Sequence, residues 1–76
     1  MSFQAYLDSI QTKTGQSPDD LRAYAAFHGF LDDEKRLKPD VKAATLVASL
    51  KRDFDLGRGH AMAVYALLKG IRKEGD

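Results

Sequence analysis

The sequence has no cysteine and no tryptophan, only two prolines, and no apolar stretch near the ~18 residues a membrane span requires. Without cysteine there is no disulfide framework and no thiolate metal site, which agrees with a reducing cytoplasm. The opening MSFQAYLDSI lacks a basic segment followed by an apolar one, so no signal peptide is expected. The expectation is a cytoplasmic protein without a membrane partner. Strand signals are missing too: no sustained alternation and no Asn-Gly or Asp-Gly hairpin turn. What is present is ordinary globular material, 43% hydrophobic and 30% charged in 76 residues. That length holds one domain, expected over residues 1–76. So short a chain buries only about 60% of its unfolded surface, so its stability margin is thin.

Helical periodicity fills most of the chain. Phe3, Tyr6, Leu7 and Ile10 form one stripe, with Ser2 as N-cap and Gly15 as stop. Ser17-Pro18-Asp19-Asp20 is a helix start: a capping hydroxyl, proline in the first turn, and carboxylates facing the positive end of the helix dipole. Leu21, Tyr24, Ala25 and His28 carry that helix to Gly29. Residues 29–40 have no clear period. They read as a loop, with a helical turn in DDEKR, pinned to the core by Phe30, Leu31 and Leu37. A third helix begins near Val41 with Val41, Ala44, Val47, Leu50 and Phe54 inward and Leu46 widening the stripe, and Gly57 ends it. The fourth opens near Gly59, places His60, Ala63, Val64, Leu67, Leu68 and Ile71 on one face, and frays after Arg72. The fold class is therefore all-α: a compact bundle of about four short helices, the last two joined by a tight Gly-x-Gly turn.

Net charge is +1, but residues 1–34 sum to −4 and residues 35–73 to +7. Such asymmetry marks either a nucleic-acid face or two halves that attract each other, the second being the simpler reading.

The most individual stretch runs from Asp53 to Ala63. Gly57 suits the positive φ of a helix C-cap, and Gly59 allows close backbone approach. The helix that follows has no Ser, Thr or Asp cap, so its first N–H groups are free for water or an anion. With Arg58 between the glycines and Lys51 and Arg52 nearby, the candidate anion, phosphate or partner site is Gly57, Arg58, Gly59, His60, Lys51 and Arg52. The spacing Gly57-x-Gly59-x-x-x-Ala63 resembles a helix-hairpin-helix, which grips the DNA backbone, with Arg58 standing where an apolar anchor is usual. The same glycines also serve a tight turn on steric grounds alone.

A second resemblance covers nearly the whole chain. Ser2-Phe3-Gln4-Ala5-Tyr6-Leu7, then Thr12-Lys13-Thr14-Gly15 with Ser17-Pro18, then Lys38-Pro39 with Val41-Lys42-Ala43, and finally Leu56 to Ala63 together resemble the bacterial domain-of-unknown-function family numbered 4287. Ser49 is a departure, since such sequences often carry tryptophan there. The resemblance implies a small helical domain and brings no activity, substrate or cofactor with it.

Chemistry-bearing residues are sparse. His60 and His28 titrate near neutrality, but no nucleophile accompanies His60 in the sequence, and both are better explained as structural. Two histidines with scattered carboxylates make no zinc site. Asp19/Asp20 serve a helix start, Asp32/Asp33 are solvated, and Asp53/Asp55 neutralise Arg58. Phe27, Tyr65 and Met62 lie at stripe edges, where they suit an interface. The leading expectation is a non-catalytic binding or interaction module with no metal and no cofactor, its partner an unknown protein or a second copy. Sequence-independent nucleic-acid binding is the alternative, and a small enzyme using His60 the weakest reading.

Overall fold

The computed structural model describes residues 2–76. It contains helices α1 (Phe3–Thr14), α2 (Pro18–Phe27), α3 (Ala43–Phe54) and α4 (Arg58–Lys69), packed into a body of 29 × 25 × 18 Å. α4 is the central element, in contact with each of the other three helices.

The helix starts follow local chemistry. The Ser2 hydroxyl accepts from the Ala5 N–H at 3.2 Å and opens α1. At α2 the capping is reciprocal: Ser17 Oγ accepts from Asp20 N–H, and the Asp20 carboxylate accepts from Ser17 N–H. Donation from the Ser17 N–H, helped by the Ser17 side chain, holds the Asp20 carboxyl below its ordinary range. Gly15, in the left-handed region at φ 75°, closes α1.

α3 departs from expectation at both ends. It starts at Ala43, after Lys42 and not at Val41, and its buried face is Leu46, Ser49 and Leu50. Ala44 is exposed. Val41, Val47 and Phe54 pack against the core as their spacing predicts, and Ser49 joins the buried face beside them. At the C-terminus the left-handed residue is Asp55 (φ 55°, ψ 33°), not Gly57. Asp55 N–H donates to Lys51 C=O at 3.0 Å and Leu56 N–H to Leu50 C=O at 3.4 Å, which satisfies the last carbonyls. Leu56 is thereby turned inward and fully buried. The α3–α4 link is Asp55-Leu56-Gly57. Gly57 is the N-cap of α4 with an ordinary extended backbone, and Arg58 and Gly59 are already helical.

Residues 29–40 contain no helical turn. Leu31 and Leu37 form an isolated antiparallel bridge. The reversal between them is organised by Asp32, whose carboxylate accepts from Glu34 N–H at 2.9 Å and Arg36 N–H at 3.1 Å. Lys35 takes the left-handed conformation there. Phe30, Leu31 and Leu37 do pin the loop to the core, as their sequence predicts.

The core joins Ile10, Leu21, Ala25, Leu37, Leu46, Leu50, Leu56, Ala61, Val64 and Leu68. Ile71 is not part of it. α4 ends at Gly70 (φ 78°), and the reversal leaves Ile71 64% exposed. The segment beyond folds back instead of fraying. Arg22 donates two bonds to Glu74, at 2.8 and 2.7 Å, and Gly75 N–H donates to Gln4 Oε1 at 2.8 Å.

Candidate functional site

Of the residues singled out by sequence, Lys51 and Arg52 lie in the last turn of α3 and Gly57 to His60 at the start of α4, and the two α3 cations are engaged with neighbouring carboxylates. Lys51 Nζ lies 2.8 Å from Asp55 Oδ1, and Arg52 pairs with the adjacent Asp53 at 3.0 Å. The Lys51 ammonium, with the charge of Lys13 behind it, holds the Asp55 carboxyl below its ordinary range. Arg58 has no ion-pair partner among the described residues, so Asp53 and Asp55 neutralise Arg52 and Lys51, not Arg58. Gly57 gives α4 no side-chain cap. A Cβ at Gly57 or Gly59 would meet nothing within 4 Å, so neither glycine is required by crowding.

His60 is held by α1. Its Nε2 lies 3.1 Å from Ser9 Oγ, and its ring stands edge-on to Tyr6 at 5.6 Å. Fifty-one positions separate Ser9 from His60, so only the fold brings this hydroxyl and imidazole together. A hydrolytic serine needs a third group to orient its base and donors for the oxyanion. Among the described residues no carboxylate bonds to His60.

A second cluster lies where α2 meets α3. Tyr24 donates to Asp53 Oδ2 at 2.6 Å. Since that bond uses the phenolic proton, the Ser49 hydroxyl bonded to Tyr24 is the donor of its own pair. Donation from Arg52, then from Tyr24, lowers the Asp53 carboxyl to about 2. Burial, reinforced by the bond to Asp53, pushes the Tyr24 phenol up. His28 Nε2 is 3.7 Å from the same carboxylate, and its ring packs against Tyr24 (4.4 Å between centroids) and Phe30 (5.6 Å). No group of three or more metal-ligating side chains occurs among the described residues.

The feature sequence reasoning located least well adjoins this cluster. Phe27, the last residue of α2, is 86% exposed, touching His28 edge-on at 5.4 Å. A groove of ≈ 400 Å³ runs between α2 and the loop. It is lined by Ala23, Ala26 and Leu31 and by the charged Asp19, Arg22, Asp32 and Lys35. Phe27 stood out at the edge of its stripe. The groove left no sequence signal, because it depends on the Leu31–Leu37 bridge. Tyr65 and Met62, read the same way, are half-buried, and Tyr65 lies under the Lys69 ammonium.

The fold and these surfaces define a small four-helix domain with a groove along α2 and an α3–α4 corner where Arg58 alone of its cations stands without an ion-pair partner among the described residues. The chain belongs to the family described as Domain of unknown function (DUF4287), whose model matches residues 2–70. That match stops at Gly70, the C-cap of α4, leaving the folded-back segment outside it. Comparison with curated proteins and with solved structures brings no match. No helix among the described residues is long and apolar enough to cross a membrane.

Proposed function

We propose that this domain is a non-catalytic protein-interaction module whose contact face is the outer side of α2. The observation that supports it is Phe27: a phenyl ring 86% exposed at the end of the helix whose Ala23 and Ala26 line a groove. Large aromatic side chains left in water next to a recess are the usual anchors of protein interfaces. The Ser9–His60 pair is structural in this reading, joining α1 to α4.

The test is photo-crosslinking in living cells from a benzophenone amino acid placed at position 27. A matched probe at Gln11, exposed on α1, serves as the reference. Discrete protein adducts from position 27 alone are expected. Equal labelling from both positions would sink the proposal.

Nucleic-acid binding is the second reading, favoured by Arg58 standing unpaired at the uncapped start of α4. It is weaker because Asp53 and Asp55 already occupy Arg52 and Lys51. Binding of labelled duplex or single-stranded DNA that falls steeply between about 50 and 200 mM salt and is lost in Arg58→Ala would reverse the order.

A further inference from the structure

We infer that residues 71–76 form a salt-sensitive strap, latched by Glu74 on Arg22, which swings open on Gly70 while the four helices stay folded and so bares Phe3 and Tyr6 of α1. The device stands apart from the α2-face reading, since it needs no partner.

Every residue from Lys69 to Asp76 is exposed, including Ile71, the one large apolar side chain among them. Little apolar surface is therefore returned to water when the segment leaves. The core cluster includes no residue beyond Leu68, so the helices keep their packing without it. Ile71 and Arg72 N–H both donate to Ala66 C=O, which ties them to the end of α4 and to no other element. What crosses to the rest of the molecule is polar: two bonds from Arg22 to Glu74, at 2.8 and 2.7 Å, and one from Gly75 N–H to Gln4 Oε1 at 2.8 Å.

The segment carries its own shape. Lys73 N–H donates to Asp76 Oδ2 and Asp76 N–H to Lys73 C=O, both at 3.1 Å. That turn presents Glu74 and Gly75 together, so the two attachments engage and leave as a unit. The pivot is Gly70, whose φ of 78° lies in the left-handed region that glycine enters freely.

The attachments land on different helices, Arg22 on α2 and Gln4 on α1, which both dock chiefly on α4. The strap is thus a brace between two helices that the core already holds. Its latch is directional, because the Arg22 fork takes both carboxylate oxygens of Glu74. It is also open to water, with the two side chains 34% and 43% exposed, so added salt screens it. Asp19 reaches Arg22 by a single contact at 3.1 Å and is the lesser partner. Beyond the latch, Arg72 and Asp76 line a cleft of ≈ 290 Å³ together with Ser2, Phe3 and Tyr6. Opening removes that wall and turns two half-buried rings of α1 towards solvent.

The test is nitrogen-15 relaxation on the full chain, with a soluble paramagnetic agent added, at about 20 and 500 mM salt. At low salt the amides of residues 71–76 should be as rigid as those of the helices. At high salt, or in Glu74→Gln at low salt, they should become mobile on the nanosecond scale. Water exchange at Gly75 should then rise about fivefold or more, and the Phe3 and Tyr6 ring signals should broaden, with α1 to α4 unchanged. Asp19→Asn should leave the strap closed, and Arg22→Glu combined with Glu74→Arg should close it again. A segment equally mobile in wild type and Glu74→Gln at low salt overturns the proposal, as does one that stays rigid in Glu74→Gln. Mobility that spreads into α1 and α2 overturns it too, since the segment would then be part of the fold and not a strap upon it.

Discussion

Single side chains at the α2–α3 contact share one hydrogen-bond chain, and their variants should separate its links. Ser49 is only 6% exposed, and Tyr24 is its side-chain partner. Tyr24→Phe strands that hydroxyl and removes a donor from Asp53, so a loss of about 1–2 kcal/mol is expected in urea denaturation. Ser49→Ala removes the buried hydroxyl itself and leaves Tyr24 bonded to Asp53, so its loss should be smaller, below about 1 kcal/mol. Equal losses would mean that the Tyr24 bond to Asp53 and the stranding of the Ser49 hydroxyl contribute little beyond the Ser49–Tyr24 bond itself. Nothing in the sequence announces this chain, because its members lie 25 and 29 positions apart. The same holds for Ser9 and His60. Pairwise contacts made by the fold carry no local signature, whereas caps and stripes do.

Local chemistry made the helices legible. Ser2 and Gly15 bracket α1, and the Ser17-Pro18-Asp19-Asp20 start of α2 is built as its residues dictate. Ser17→Ala removes one half of a reciprocal cap and should lower stability by about 1 kcal/mol. The α3–α4 corner misleads in an instructive way. Two glycines drew attention, yet the left-handed residue is Asp55, stabilised by its lysine partner one turn back and by burial of Leu56. Gly59 sits inside the first turn of α4 with open space around its Cα. Gly59→Ala should therefore raise stability by about 0.5–1 kcal/mol, seen as a higher melting temperature. A destabilised variant would reveal a contact that the open space does not suggest. The loop was the least legible element, since its order comes from the Asp32 turn and from Leu37 N–H donating to Leu68 C=O at 3.0 Å, not from any periodicity.

Over the whole molecule, charge organises the chain less than its asymmetry suggests. The acidic first half and basic second half do not zip together. Among the described residues, the pairs joining distant segments are Arg22–Glu74 and, when the ring is protonated, His28–Asp53. Donation from Arg22 brings the Glu74 carboxyl down from 4.5 to about 2, and Asp53 falls from 3.8 to about 2. Both carboxyls are more acidic folded than unfolded. Their contribution is present above about pH 4.5 and is lost as pH falls from there through about 2. Thermal melts between pH 7 and 2 should follow that limb, and Glu74→Gln should start lower at neutral pH and decline less. Parallel limbs for the two proteins would mean that the Glu74 pair is not what acid breaks.

The same pair, together with the bond from Gly75 to Gln4, has a topological consequence. A cleft lined by Ser2, Phe3, Tyr6, Arg72 and Asp76 brings the two ends of the described chain to one spot. The path is thus almost a closed ring, and a short linker from Asp76 back to Ser2 would complete it without disturbing any helix. New ends opened at the exposed Lys38-Pro39-Asp40 would give a rearranged chain, α3-α4-α1-α2, with the same core. Inserted into a larger polypeptide, such a unit would hang from its host by two adjacent strands of chain, like a pendant, with α2 free to face outward.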